Sequence, residues 1–264
     1  LSYLHARQEL RREAADHFQT RQVVLTPSGE IKPFGDPLSF LEMQTLRKQG
    51  SIQQVSEGQL FANLGVSLQL VVEHKGRKAL VLVQQGSTLK LVSGYVPEEN
   101  LHQPLQTAWA ELMEEVLPIA QDGLIYGFVR EGKLLPDPYC LERESTLAIC
   151  PSAFLPWVTL RSFQSESWPA GYYVHEPTAS LQLVYPITVE LPDMINLRHA
   201  EDIFEHSTSG QGELVSRYDP NCFCVLMELD SQSSPTGHFY QLVEGEWEQK
   251  DVSALTLSEF FTRT

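Results

Sequence analysis

The hydrophobic pattern turns to β texture in the middle of the chain. Residues 66–73 (VSLQLVVE) and 79–85 (ALVLVQQ) are short runs rich in Val and Leu that flank a Gly-containing stretch at 74–78, which predicts a β-hairpin with a longer loop. A short strand follows at 89–92, Gly94 breaks it, and residues 97–100 (PEEN) form a loop. The period then changes. Leu105, Ala108, Trp109, Leu112 and Val116 recur at three- and four-residue steps, so 104–117 is predicted as an amphipathic helix with Pro104 in its first turn. Residues 123–129 (GLIYGFV) return to strand.

Upstream, Leu4, Leu10, Ala14 and Phe18 suggest a helix over 1–18, and residues 22–26 form a strand ending at the Pro27-Ser28-Gly29 turn. Asp36 is placed as the N-cap and Pro37 as the first residue of a second helix that runs to Gln49 and stops at Gly50. Downstream, prolines at 136, 138, 151, 156, 169 and 177 predict loops and short elements over 131–180. Residues 182–190 read as a strand that Pro186 demotes to an edge or a bulge. Residues 198–207 suggest a short helix, 222–229 and 239–243 strands, and 253–262 a C-terminal helix.

This order predicts an α+β fold, a mixed β-sheet with helices packed on it. Residues 1–60 are expected to be an N-terminal helical extension or a dimerisation arm, with the α+β domain over 61–264 and a homodimer as the implied assembly.

Composition narrows the function classes. The 264 residues carry 34 acidic and 19 basic side chains, a formal charge of −15, which repels nucleic-acid backbones and anionic membrane surfaces. Phosphorylated small molecules stay open, because a divalent cation inverts local charge. No run of 18 apolar residues predicts a transmembrane helix, and the charged N-terminus lacks the apolar centre of a signal peptide. Cys140, Cys150, Cys222 and Cys224 form no CxxC pair, which suits a reducing cytoplasm. Cys222 and Cys224, two apart in a strand, point to one face and read as small core residues.

The candidate chemistry lies on the helix at 104–117. Glu111 and Glu115 are four residues apart and stack along one face, and Glu114 flanks them. Such carboxylates repel each other by a few tenths of a kcal/mol per pair, which a solvated face tolerates. They also match the oxygen ligands that hard cations such as Mg²⁺ take.

The segment Gly94-Tyr95-Val96-Pro97-Glu98-Glu99, followed by Ala110-Glu111-Leu112-Met113-Glu114-Glu115-Val116-Leu117-Pro118, resembles the box of the Nudix hydrolase family. The Glu-Leu-x-Glu-Glu core matches in type and spacing, and the hairpin and strand upstream look like those preceding the box in that family. The resemblance covers about residues 66–130. It implies a Nudix-like sheet, a nucleotide-like small-molecule ligand, and Mg²⁺ (or Mn²⁺) held by Glu111, Glu114 and Glu115, with Glu111 also in a catalytic role. The chain departs from the pattern at three points. Ala110 stands where the family has an Arg that orients the adjacent Glu, Leu117 stands for the closing Gly, and the Gly94-to-Glu111 spacing is one or two residues too long, so Glu98 and Glu99 are only stand-ins for the first box Glu. The expected function is hydrolysis of a nucleoside diphosphate derivative with a divalent cation. The alternatives are a decayed nucleotide-binding or protein-interaction module on the same fold, and an unrelated α+β fold.

Two other groups are worth weighing. His199 and His206, with Glu201, Asp202 and Glu205, would share a helix face and offer a second metal site or a base, against the plainer reading of a polar surface helix. Trp157, Trp168, Tyr172 and Tyr173 would stack on a base or, more commonly for such large side chains, sit in the core.

Overall fold

A computed structural model describes residues 13–14, 18–49, 52–137, 143–152, 154–155, 160–163, 168–206 and 212–258. In chain order these residues form β1 (Glu13–Ala14), β2 (Gln19–Leu25), β3 (Ile31–Ser39), α1 (Phe40–Gln49), β4 (Gln53–Val55) and β5 (Gly58–Phe61). Next come β6 (Asn63–His74), β7 (Arg77–Gln85), β8 (Thr88–Lys90), β9 (Val92–Tyr95), α2 (Pro104–Glu115), β10 (Val116–Ala120), β11 (Tyr126–Arg130) and β12 (Lys133–Leu134). The remainder is β13 (Ser145–Pro151), β14 (Gly171–His175), β15 (Ser180–Glu190), β16 (Ile195–His206), β17 (Gly212–Phe223), β18 (Val225–Leu229), β19 (Pro235–Val243), β20 (Glu246–Gln249) and β21 (Thr256–Leu257).

The described residues are mostly β, with 58% strand and 13% helix, which overturns the expected α+β fold of packed helices with an N-terminal helical extension. Two α-helices occur among the described residues. The expected helix over 1–18 lies largely outside them, and its residues 13–14 pair as strand with β17. The described part of residues 1–60 is a four-stranded antiparallel sheet, β3-β2-β5-β4, carrying α1. Residues 253–258 of the expected C-terminal helix hold a turn and β21 instead. Residues 198–206 are strand, within β16, pairing with β10 on one side and β17 on the other. β17 follows β16 directly as a hairpin partner, whereas β10 is about 80 residues away, so the local charge pattern of RHAEDIFEH gave no sign of strand pairing. Among the described residues no helix is long and apolar enough to cross a membrane.

The central sheet runs β12-β11-β13-β15-β6-β7-β18-β19-β20, with β14 added to β15, β9 to β6, β8 to β7 and β21 to β8. Its middle strands, β15 and β6, are parallel and in register from Ser180↔Asn63 to Glu190↔Glu73. The hairpin β6–β7 forms where the two apolar runs predict it, closed more tightly, by the two residues Lys75 and Gly76. Pro186 lies inside β15 rather than on an edge. It sits where the outer neighbour of β15 changes from β14 to β13, so the missing N–H falls at a junction.

One face of this sheet packs on α2. Val66, Leu68, Val92, Leu183 and Tyr185 meet Ala108, Trp109, Leu112 and Met113, all buried. Each such side chain contributes roughly 1.5–3 kcal/mol, so the apolar stripe, rather than helix propensity, holds α2 in place. Leu80, Leu82, Leu89, Val225 and Met227 form a second cluster. At its C-terminus α2 passes directly into β10, with Val116 already extended, so no turn is needed at Leu117. Arg143, paired with Asp137 at 2.9 Å in buried surroundings, donates to the Met113 carbonyl at 2.9 Å and secures this end of the helix.

At the other end of the chain Ser39 and Glu42 form a reciprocal capping box for α1. Ser39 N and Oγ both donate to Glu42 Oε2 at 2.8 Å, and Glu42 N donates to Ser39 Oγ at 3.3 Å. The helix therefore starts three residues later than Asp36 suggests, and Pro37 belongs to β3.

Candidate functional site

The three glutamates of α2 line one cleft of about 400 Å³. Glu114 and Glu115 are buried, at 4% and 8% exposed, while Glu111 is half-buried. A solvated helix face would leave them in water, so burial sets this group apart from an ordinary charged surface.

The geometry that places Glu111 is specific. Gly94 lies in β9, paired with Val66, on the side of the strand that faces α2. A Cβ on Gly94 would lie 1.7 Å from Glu111 Oε1 and 2.1 Å from its Cδ, so the carboxylate occupies the space a side chain would fill. Gly94 therefore does not end the strand. It lets an acidic side chain lie against it, and so helps to position that side chain.

Lys90 is the cation nearest these carboxylates that the ion pairs identify. Its Nζ lies 3.8 Å from Glu115 Oε1 and donates to Ser93 Oγ at 3.2 Å and Ser93 O at 3.4 Å. The stand-ins for the first box glutamate do not join the group. Glu98 pairs with Arg21 at 2.6 Å, Glu99 is exposed, and neither lines the cleft.

The rest of the cleft comes from residues that pattern reading passed over. Phe40, Gln44 and Arg47 project from α1 at positions i, i+4 and i+7, one helical face. Phe18 stands edge-on to Phe40 with centroids 6.0 Å apart, and Phe40 lies 6.1 Å from Tyr95. The Arg47 guanidinium sits 5.1 Å over the Tyr95 ring and donates to the Tyr95 hydroxyl. Thr20 Oγ1 donates to Val96 O at 3.0 Å, a second tie between the N-terminal sheet and the β9 segment.

Opposite Tyr95 in register, across Gly65, lie Gln182 of β15 and then Tyr173 of β14. The Gln182 amide occupies the space above Gly65, where a Cβ would meet its Nε2 at 2.2 Å. Ser67 Oγ donates to Gln182 Oε1 at 3.3 Å and lies 3.0 Å from the Tyr173 hydroxyl. Burial pushes the Tyr173 phenol up to about 12, so it stays protonated. His175 continues the wall. Its Nδ1 is 2.6 Å from Thr178 Oγ1, which reaches Ser180 Oγ at 2.8 Å, and Ser180 donates to Asn63 Oδ1 at 2.8 Å.

Other expected residues fall elsewhere. His199 is buried in β16 with its Nδ1 3.7 Å from Cys222 Sγ, while the side chains of Glu201, Asp202, Glu205 and His206 lie outside the described residues. Burial, then the Cys222 and Glu115 charges, raise the Cys224 thiol well above its usual range, so it is an inert core group. Trp168 packs on Trp109 and Tyr185, and Tyr172 on Phe163, both in the core; Trp157 lies outside the described residues. Of that aromatic set Tyr173 alone lines the cleft.

Buried carboxylate oxygens are hard donors and suit Mg²⁺ or Mn²⁺ by chemistry. Among the described residues no three His, Cys, Asp or Glu side chains converge as a ready-made metal cage. Mg²⁺ does not require one, since it commonly takes one or two carboxylates, several waters and substrate phosphate oxygens. No family model, no curated protein and no solved structure matches this chain.

Proposed function

We propose that the cleft hydrolyses the diphosphate of a nucleotide derivative with a divalent cation held by Glu111, Glu114 and Glu115. The observation that carries this reading is the burial of Glu114 and Glu115 in a cleft where Gly94 makes room for Glu111. Bound there, Mg²⁺ would offset phosphate charge and acidify a coordinated water. Glu114 and Glu115, on the last turn of a helix locked by its apolar stripe, present oxygens toward the phosphates with little freedom to move. Glu111 orients against β9 and accepts a proton from the attacking water. Lys90 offers a second positive charge to the same phosphates. The Nudix resemblance of residues 94–118 supports the same chemistry.

A second reading has its own support. Lys90 already pairs with Glu115, and no preformed cage exists among the described residues, so the cleft would bind a nucleotide without turnover. The two separate by incubating the protein with Mg²⁺ or Mn²⁺ and a panel of ADP-ribose, dinucleoside polyphosphates and UDP-sugars. Cation-dependent release of a nucleoside monophosphate supports hydrolysis. Binding of the panel without release supports the second reading.

A further inference from the structure

We infer that the wall formed by Phe18, Phe40 and Tyr95, together with the Gln182 amide, is a subsite for a flat heteroaromatic ring, so that the N-terminal sheet and α1 select the ligand by its base. This deepens the nucleotide reading above but rests on different residues from the carboxylates. Tyr95 and Gly94 are neighbours on β9 and point to opposite faces of it, so the ring wall and the Glu111 carboxylate lie on either side of one edge strand.

Three observations carry the inference. First, three aromatic rings line one cleft with successive centroids 6.0 and 6.1 Å apart. Aromatic faces held this way attract a further planar ring by stacking. Second, Arg47 lies over Tyr95 and donates to its hydroxyl, which fixes the ring and adds positive charge beside it. Third, Gln182 is only 6% exposed and lines the cleft. Ser67 Oγ donates to Gln182 Oε1 at 3.3 Å, which leaves the Nε2 end of the amide to meet a ligand. An amide NH₂ in the wall of the cleft favours a ligand edge that carries an acceptor nitrogen or carbonyl. A phosphorylated sugar offers neither the ring face nor such an edge. A nucleobase offers both.

The test is metal-free binding, measured by titration calorimetry in EDTA with ADP, UDP and inorganic pyrophosphate as probes. The wild-type chain is expected to bind ADP or UDP at least about tenfold more tightly than pyrophosphate, in line with one stacked base. Phe40→Leu removes most of that difference and leaves pyrophosphate binding unchanged, whereas Phe40→Trp retains it. Gln182→Met keeps the side-chain length and removes the donor, and it weakens the nucleotides alone. Equal affinity for ADP, UDP and pyrophosphate would overturn the inference, as would equal losses for all probes in Phe40→Leu with an unchanged melting temperature. Because no cation is present, ring preference without hydrolysis would leave the subsite standing and remove only the hydrolase reading.

Discussion

Gly94→Ala is the substitution whose effect follows most closely from the geometry. The glycine sits in extended backbone that alanine adopts equally well, so the change carries no conformational penalty. Replacing glycine at such a position stabilises by about 0.4–1 kcal/mol through the unfolded state. Against that, the new methyl would begin 1.7 Å from Glu111 Oε1 and 2.8 Å from its Cγ. Ordinary contact requires about 3.5 Å, so the carboxylate must retreat by roughly 2 Å. Overpacking in a core costs about 1–3 kcal/mol. Glu111 is half-buried and only its flexible end is displaced, which puts the cost at the low end of that range. The net change in stability is therefore within about 1 kcal/mol, or about 2–4 °C in Tm for a chain of this size. Function responds far more, since a displacement of about 1 Å in a catalytic group costs on the order of 10²-fold. Urea denaturation and cation-dependent hydrolysis, measured on Gly94→Ala, Glu111→Ala and the double variant, separate the two effects. In the Glu111→Ala background Gly94→Ala should no longer destabilise, because nothing remains to displace. A loss of several kcal/mol that persists in the double variant would refute the reasoning, because the clash would then be with something other than Glu111.

Two further substitutions probe the frame around the site. Arg143→Met leaves the Asp137 carboxylate buried without its cation and frees the Met113 carbonyl, and a loss of about 3–5 kcal/mol in urea denaturation is expected, less when Asp137→Leu is added. Arg77 donates twice to Glu228 Oε1, at 2.6 and 3.1 Å, and its guanidinium lies over the Tyr240 and Trp247 rings. Burial pushes the Glu228 carboxyl up, yet hydrogen bonds from Arg77 and Thr236, with the nearby positive charge, hold it below the ordinary 4.5. A depressed carboxylate stabilises fully above its unfolded value and loses that contribution as pH falls through the folded one. Thermal unfolding from pH 7 to pH 3 should thus show an acid-side loss of stability that is smaller in Arg77→Met.

Much of the site region is legible from periodicity, because the signals there are local. The apolar stripe of Leu105 to Val116 specifies α2 to within two residues of its observed end, and the Val- and Leu-rich runs around Gly76 specify the β6–β7 hairpin. That the three glutamates share a helix is legible; that they are buried is not, since burial depends on β9 and on β16, about 80 residues away. The wrong elements have identifiable physical sources. Asp36-Pro37 imitates a helix start, although the Ser39-x-x-Glu42 capping box was present and is the real one. Residues 198–206 carry enough charge to resemble a surface helix, but pairing to β10 and β17 overrides propensity. Gly94 looks like a strand breaker until the side chain that fills its space is known. The aromatic wall was not legible: Phe40, Gln44 and Arg47 share one face of α1, but nothing local connects them to Tyr95 or Gln182.

The most direct measurement of the central claim is nucleoside monophosphate release from ADP-ribose as Mg²⁺ rises from zero, on the wild-type chain and Glu115→Gln side by side. Groups that merely support a metal ligand are worth about 10–100-fold, so loss of a ligand oxygen should cost at least about a hundredfold, with an unchanged melting temperature. Release that is indifferent to Mg²⁺, or equal in the two proteins, would contradict the assignment of the buried carboxylates to a cation.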